Sequence, residues 1–169
     1  MLKNHRKVSP KSVSCMVITV SDTRTEETDK SGQLIKELLQ EHRHEVEAYQ
    51  IVHDEKDQIE EAIREGMDNE KVEAVIINGG TGVAKRDVTI EVVQTLVQKE
   101  LPGFGEIFRY LSYEKDIGSA AILSRAVAGV GNDTILFSVP GSSGAVKLAM
   151  EKLILLEMGH IVMEIQKDL

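Results

Sequence analysis

Three polar clusters in this sequence each follow a short apolar run, and their residue types are those that grip phosphates and metal ions. Ser21-Asp22-Thr23-Arg24 follows the first run, Asn78-Gly79-Gly80-Thr81-Gly82 and then Val83 to Asp87 follow the third, and Pro140-Gly141-Ser142-Ser143-Gly144 follows the last. The middle cluster carries the most information. Gly79, Gly80 and Gly82 can take positive φ and leave backbone N–H groups bare, so an oxyanion can sit among them unobstructed. A plain strand-to-helix turn needs fewer glycines. A helix starting near Asp87 adds its positive N-terminal end. The spacing matches neither a P-loop nor a dinucleotide fingerprint. Asp54 and Asp87 each read in two ways. Each can cap a following helix, and the two can converge on one Mg²⁺, which favours one or two carboxylates with phosphate oxygens and water.

Other chemistries find less support. Lys85, Arg86, Arg109, Arg125 and Lys147 could bring positive charge to a ligand, although each alone reads as a solvated side chain. The histidines His5, His42, His44, His53 and His160 are scattered and read as surface residues. His42 and His44 are close but lack the company a zinc site needs. Ser142-Ser143-Gly144 is not a nucleophile elbow and has no evident base, so phosphate or hydroxyl binding at the start of the last helix fits better. Asn132-Asp133-Thr134 matches a glycosylation sequon but reads as a turn.

The elements that must position these clusters alternate. Residues 15–20 are a continuous apolar run, as expected of a strand buried on both faces. Asp29 or Ser31 can cap a helix with Leu34, Ile35, Leu38 and Leu39 on one face. Residues 46–52 read as a second strand, and Ile59, Ala62, Ile63 and Met67 mark a second helix. Residues 72–77 read as the third strand and 88–97 as helical. Residues 102–105 read as a turn leading into a helix over 106–112, and residues 121–123 as a short strand. Residues 126–130 and 134–139 form a pair around Gly131-Asn132-Asp133. A final helix carries Val146, Leu148, Ala149, Leu153, Ile154 and Leu156, with a restart after Gly159. The expected fold is three-layer α/β: a mainly parallel sheet with helices on both faces and a small antiparallel addition. In such sheets ligands collect at the carboxyl ends of the strands, where all three clusters would meet.

The bulk numbers agree with one domain over residues 15–169 after a polar lead-in at 1–14. A chain of 169 residues with 41% hydrophobic and 28% charged content suits a soluble fold. The net charge of −8 argues against general nucleic-acid binding, and no segment reads as a membrane span. The lone Cys15 allows no internal disulfide, as in a reducing cytoplasm.

In this order the clusters resemble the MoaB/MogA family of molybdenum cofactor biosynthesis proteins. The pieces that carry the resemblance are Val17-Ile18-Thr19-Val20-Ser21-Asp22-Thr23-Arg24, Gly79-Gly80-Thr81-Gly82 with Arg86-Asp87-Val88-Thr89, Pro102-Gly103-Phe104-Gly105-Glu106, Leu123-Ser124-Arg125 and Pro140-Gly141-Ser142. The stretches at 105–113 and 124–130 look more like the MoaB branch than the MogA branch. The resemblance implies a molybdopterin-binding, MogA-like fold, a trimer or hexamer of identical chains, and a cytoplasmic setting. It also implies adenylylation of molybdopterin with Mg-ATP, an activity of the MogA kind that not every MoaB-type member shares. The product would pass to a MoeA-type protein that inserts molybdate. Asp54 and Asp87 match the two aspartates important in the family's adenylyltransferases and would hold Mg²⁺. His53 stands where many active members carry proline.

On this reading the amides of Gly79, Gly80 and Gly82, together with Thr81, face nucleotide phosphates. Ser21, Asp22, Pro140, Gly141, Ser142 and Ser143 face the pterin or its phosphate. The substrate phosphate is its own nucleophile, which agrees with the lack of a nucleophile–base pair. The alternatives are a non-catalytic molybdopterin-binding or carrier protein and a flavodoxin-like nucleotide binder.

Overall fold

The computed structural model describes residues 12–169. Most of the expected lead-in, with His5, lies outside this range. Val13 is already tied down: it is buried, its amide donates to His44 Nδ1 at 3.1 Å, and its carbonyl accepts from Glu45. The sheet therefore begins before the apolar run does. His44 is thus not the surface residue expected, and burial lowers its pKa, with His42 adding to the shift.

The strands are β1 (Ser14–Val20), β2 (Glu45–Val52), β3 (Ala74–Asn78), β4 (Lys99–Glu100), β5 (Val127–Gly131) and β6 (Thr134–Val139). They form one sheet in the order β2-β1-β3-β6-β5-β4. The first four in that order are mutually parallel, and β5 and β4 are the antiparallel addition. Asn132 and Asp133 both take positive φ in the hairpin between β5 and β6, so the sequon is a turn, as expected.

The helices are α1 (Lys30–Glu41), α2 (Lys56–Asp68), α3 (Thr89–Leu96), α4 (Pro102–Ser112), α5 (Ser143–Ala149) and α6 (Leu155–Gln166). On one face of the sheet Val17, Ile76 and Phe137 pack with Ile35, Leu39, Phe108, Val146 and Met158 from α1, α4, α5 and α6. On the other, Ile18, Ile77 and Leu136 pack with Ile59, Ile63, Val92 and Val93 from α2 and α3. Coverage of both faces is why the central strands are apolar without alternation. Among the described residues no helix is long and apolar enough to cross a membrane.

Four local expectations are corrected. Residues 102–105 are not a turn but the first turn of α4, since Pro102 has no N–H to lose there and its fixed φ suits a helix start. Residues 121–123 lie in a 3₁₀ helix, Gly118–Leu123, not a strand. The C-terminal helix does not restart after Gly159 but runs through it, and its irregularity is a π-helical stretch, Met150–Ile154, between α5 and α6. Asp54 and Asp87 are not the helix caps: those positions are Glu55 and Val88, and neither makes a side-chain cap bond.

A buried acid aligns the strand ends. Asp29 is fully buried. Its Oδ2 accepts from Thr19 Oγ1 at 2.6 Å and from Tyr49 OH at 2.7 Å. Its Oδ1 accepts from the Gly32 amide at 3.0 Å and pairs with the Arg24 guanidinium at 3.4 Å. Burial pushes its pKa up, but the bonds from Thr19, Gly32 and Tyr49, with Arg24, hold it below the usual carboxylate range. Thr19 Oγ1 also accepts from Asn78 Nδ2 at 2.9 Å, so one network spans the ends of β1, β2 and β3. Breaking a buried charge-paired network by removing one partner costs about 3–5 kcal/mol. Asp29→Ala is expected to lose that much in urea unfolding, as a lower midpoint with an unchanged slope.

Candidate active site at the carboxyl ends of the strands

Strand order reverses about β1, which lies between β2 and β3. The crevice at such a switch point is where open α/β sheets bind ligands. All three clusters meet there. Arg24 Nη2 and Ser31 Oγ donate to the Gly141 carbonyl at 2.9 and 2.7 Å, joining the first cluster to the third. Gly141 lies on Gly79: a side chain on Gly141 would come within 3.1 Å of Gly79 Cα. Arg86 joins the second cluster to the first, donating from Nε and Nη2 to the Asp22 carboxylate at 2.5 and 2.9 Å.

The glycines are there because backbone passes close. Gly79 has φ +99° with its Cα against the Val20 carbonyl, and Gly80 has φ +63°. The Gly79 amide is not the bare group expected: it continues the sheet ladder, donating to the Val139 carbonyl at 3.1 Å. A side chain on Gly82 would meet Asp87 Oδ2 at 2.5 Å. Arg125 fastens the loop from the far side. Its Nε donates to the Thr81 carbonyl at 2.9 Å, its Nη2 donates to the Gly82 carbonyl at 2.6 Å, and it pairs with Glu91. That pairing lowers the Glu91 pKa. Thr81 is 6% exposed.

Asp54 and Asp87 come together at this loop. Asp54 Oδ1 lies 3.0 Å from where a Gly80 side chain would start, and Asp87 accepts from the Ala84 amide at 3.2 Å. Asp54 is raised above the usual carboxylate range, first by burial and then by the negative charge of Asp87, with the Val88 amide opposing. Its Oδ1 is buried without a hydrogen-bond partner. So are Thr89 Oγ1, Asn78 Oδ1 and Ser138 Oγ, which all lie at this same end of the sheet. An unmet buried polar group costs about 1–3 kcal/mol, so their concentration on one rim makes it the candidate site. Among the described residues no three His, Cys, Asp or Glu side chains gather in a way that could hold a metal ion. The two carboxylates nonetheless fit Mg²⁺, which takes its remaining ligands from phosphate and water.

The other predicted site residues sit on the same rim with prior engagements. Asp22 is bound by Arg86 and accepts from the Asp54 amide at 3.1 Å, and the Arg86 bond holds its pKa far below the usual range. Ser21 Oγ accepts from the Thr23 and Arg24 amides at 3.3 and 3.2 Å. Ser142 Oγ caps α5 through the Ala145 amide at 3.2 Å, with Pro140 half-buried and Ser143 exposed beside it. Of the five cationic residues, Arg86 and Arg125 belong to the site, and each is committed to carboxylates or carbonyls. A cavity of about 550 Å³ lined by Leu101, Val130, Ile161 and Ile165 includes none of these residues.

The functional residues that sequence reasoning passed over are Asp29, seen only as a cap, with Tyr49 and Thr89. A signal existed for them: Thr19 and Asn78 are polar side chains inside apolar runs, and buried polar residues need partners.

Fold and rim together define an α/β protein whose strand ends are fitted to anionic ligands. Residues 16–160 match the family described as a probable molybdopterin binding domain. The molybdenum cofactor biosynthesis protein B of Bacillus subtilis is 59% identical over 167 residues, 99% of this chain and 98% of that one. A crystal structure of a molybdenum cofactor biosynthesis protein B is 57% identical with TM-score 0.92, covering 94% and 99% of the two chains. The tungsten cofactor synthesizing protein MoaB from Pyrococcus furiosus is 41% identical with TM-score 0.82, covering 92% and 98%. The chain belongs to this family of molybdenum cofactor biosynthesis proteins.

The raised pKa of Asp54 has a consequence for stability. A carboxyl that ionises less readily folded than unfolded penalises the fold above its folded pKa, and the penalty vanishes below the unfolded value near about 3.9. In metal-free buffer, Asp54→Asn is therefore expected to raise the thermal midpoint at neutral pH. The gain should close as pH falls toward about 4. A variant less stable than the parent at neutral pH would contradict the cost of burying the Asp54 charge beside Asp87.

Proposed function

We propose that the protein binds molybdopterin along this rim and adenylylates it with Mg-ATP, releasing pyrophosphate. The observation that carries the reading is the meeting of Asp54 and Asp87 at the glycine-rich loop after β3. The terminal phosphate oxygen of molybdopterin attacks the α-phosphorus of ATP, a new P–O–P bond forms, and the bond to the β-phosphate breaks. Because the substrate phosphate is the nucleophile, the protein need only align two anions and offset their repulsion. Mg²⁺ held by Asp54 and Asp87 supplies charge neutralisation for the triphosphate and the leaving pyrophosphate. The amides of Gly80 and Gly82, with Thr81, orient nucleotide phosphates, while the Gly79 amide is spent on the Val139 carbonyl and Arg125 keeps that loop in place. Ser21 and the Pro140, Gly141, Ser142 and Ser143 turn orient the pterin or its phosphate. Asp22 acts chiefly by holding Arg86 and the Asp54 amide.

The same reading places the protein in the cytoplasm as a homo-oligomer, trimer or hexamer, whose product passes to a MoeA-type molybdate-inserting protein. Exposed Ile107, Tyr110, Tyr113, Ile122 and Leu123 support self-association.

Incubation with molybdopterin and Mg-ATP is expected to give the adenylylated product and one pyrophosphate per turnover. Ligand binding with no pyrophosphate would instead make the protein a carrier. Asp87→Ala should lower turnover by roughly 10²–10³, with stability changed by about 1 kcal/mol or less, since Asp87 gives up one exposed hydrogen bond. Adenylylation near the parent rate would remove Asp87 from the mechanism.

A further inference from the structure

Beside the two carboxylates stands a third oxygen. Thr89, the first residue of α3, is fully buried, and its amide donates to the Gly80 carbonyl at 3.1 Å. Its Oγ1 has no partner. Other threonines in the fold place theirs: Thr95 Oγ1 donates to the Val92 carbonyl at 2.7 Å and Thr19 Oγ1 to Asp29. Helical threonines ordinarily do as Thr95 does.

What Thr89 Oγ1 faces is the bare Cα of Gly80. Of all atoms near the position where a Gly80 side chain would start, Thr89 Oγ1 is the nearest and Asp54 Oδ1 the next, at 3.0 Å. Both are orphaned. A hydroxyl oxygen and a carboxylate oxygen therefore crowd one position beside Gly80, each buried and neither hydrogen-bonded. The Val20 methyl, 3.1 Å from the same position, closes the wall with carbon. A hard divalent cation takes mixed carboxylate and neutral oxygens as ligands, and threonine hydroxyls serve as such ligands in phosphate-binding loops.

We infer that Thr89 Oγ1 and Asp54 Oδ1 are two fixed ligands of a hard divalent cation seated against Gly80, with the Asp87 carboxylate beside them. Thr89 thereby becomes a metal-binding residue rather than a packing one. The inference rests on the metal-assisted reading above, yet it concerns binding in the absence of substrate.

The test uses the full chain without nucleotide and Mn²⁺ alone as the probe, read as loss of the free-ion EPR signal, with the thermal midpoint measured alongside. The parent should bind Mn²⁺. Thr89→Val keeps the shape and removes the oxygen, so Mn²⁺ affinity should fall tenfold or more while the thermal midpoint holds or rises. Thr89→Ser keeps the oxygen and should bind within about twofold of the parent. Parent-like binding by Thr89→Val overturns the inference. So does loss of binding by Thr89→Ser, or a parent that binds no Mn²⁺. None of these outcomes bears on whether pyrophosphate is released from Mg-ATP, so the two readings fail separately.

Discussion

The buried charge of Asp29 sets the terms for the rest of the rim. A carboxylate away from water is tolerated only when its oxygens are bonded and its charge is met. Here the donors come from β1, β2, α1 and the loop after β1. The Gly32 amide is a local cap donor, but Thr19 and Tyr49 lie 10 and 20 residues away, so the acid is fully satisfied only when these pieces are all in place. The same atoms then reach further. Arg24 holds Gly141 through its second nitrogen, and Thr19 accepts from Asn78 just before the glycine loop. One unfavourable burial, fully compensated, fixes the relative heights of three strand ends and ties in a residue of each of the three clusters.

The glycine loop follows from that arrangement. With Gly141 seated on Gly79, and Gly79 against the Val20 carbonyl, three stretches of main chain approach closer than any side chain would allow. Gly79 and Gly80 then need positive φ, which glycine adopts without strain. The geometry that packs the strand ends commits the Gly79 amide to the Val139 carbonyl, so on the proposed reading ligand contact falls to the loop beyond it.

Much of this was legible in the residues. The unbroken apolar runs gave away strands covered on both faces, and punctuation by Gly79, Gly80, Gly82, Pro140 and Gly141 located the rim. What stayed hidden were cases where tertiary contact overrides a local signal. Pro102 and Gly103 look like a turn but begin a helix, because α4 is held by Phe108 in the core. Residues 121–123 carry a strand-like composition, yet Ile122 and Leu123 are exposed on a 3₁₀ turn. At the site, Asp54 and Asp87 were visible but not their repulsion, which is a fact of distance. Asp29 looked like a cap and is one, and nothing local shows that its other oxygen joins β1 to β2.

The charge balance at the rim points in one direction. The chain is acidic overall, yet its ligands would be phosphates, and the guanidiniums at hand are committed. Arg86 answers Asp22 and Glu55, Arg125 answers Glu91 and two carbonyls, and Arg24 answers Asp29. Among the described residues Asp54 and Asp87 make no ion pair, and they raise the local negative potential. A triphosphate brought to such a surface would meet repulsion that amide dipoles alone offset poorly. A divalent cation between acids and phosphates reverses the sign of every one of those interactions. On the proposed reading the paired acids would be the means by which an acidic protein holds a still more acidic ligand.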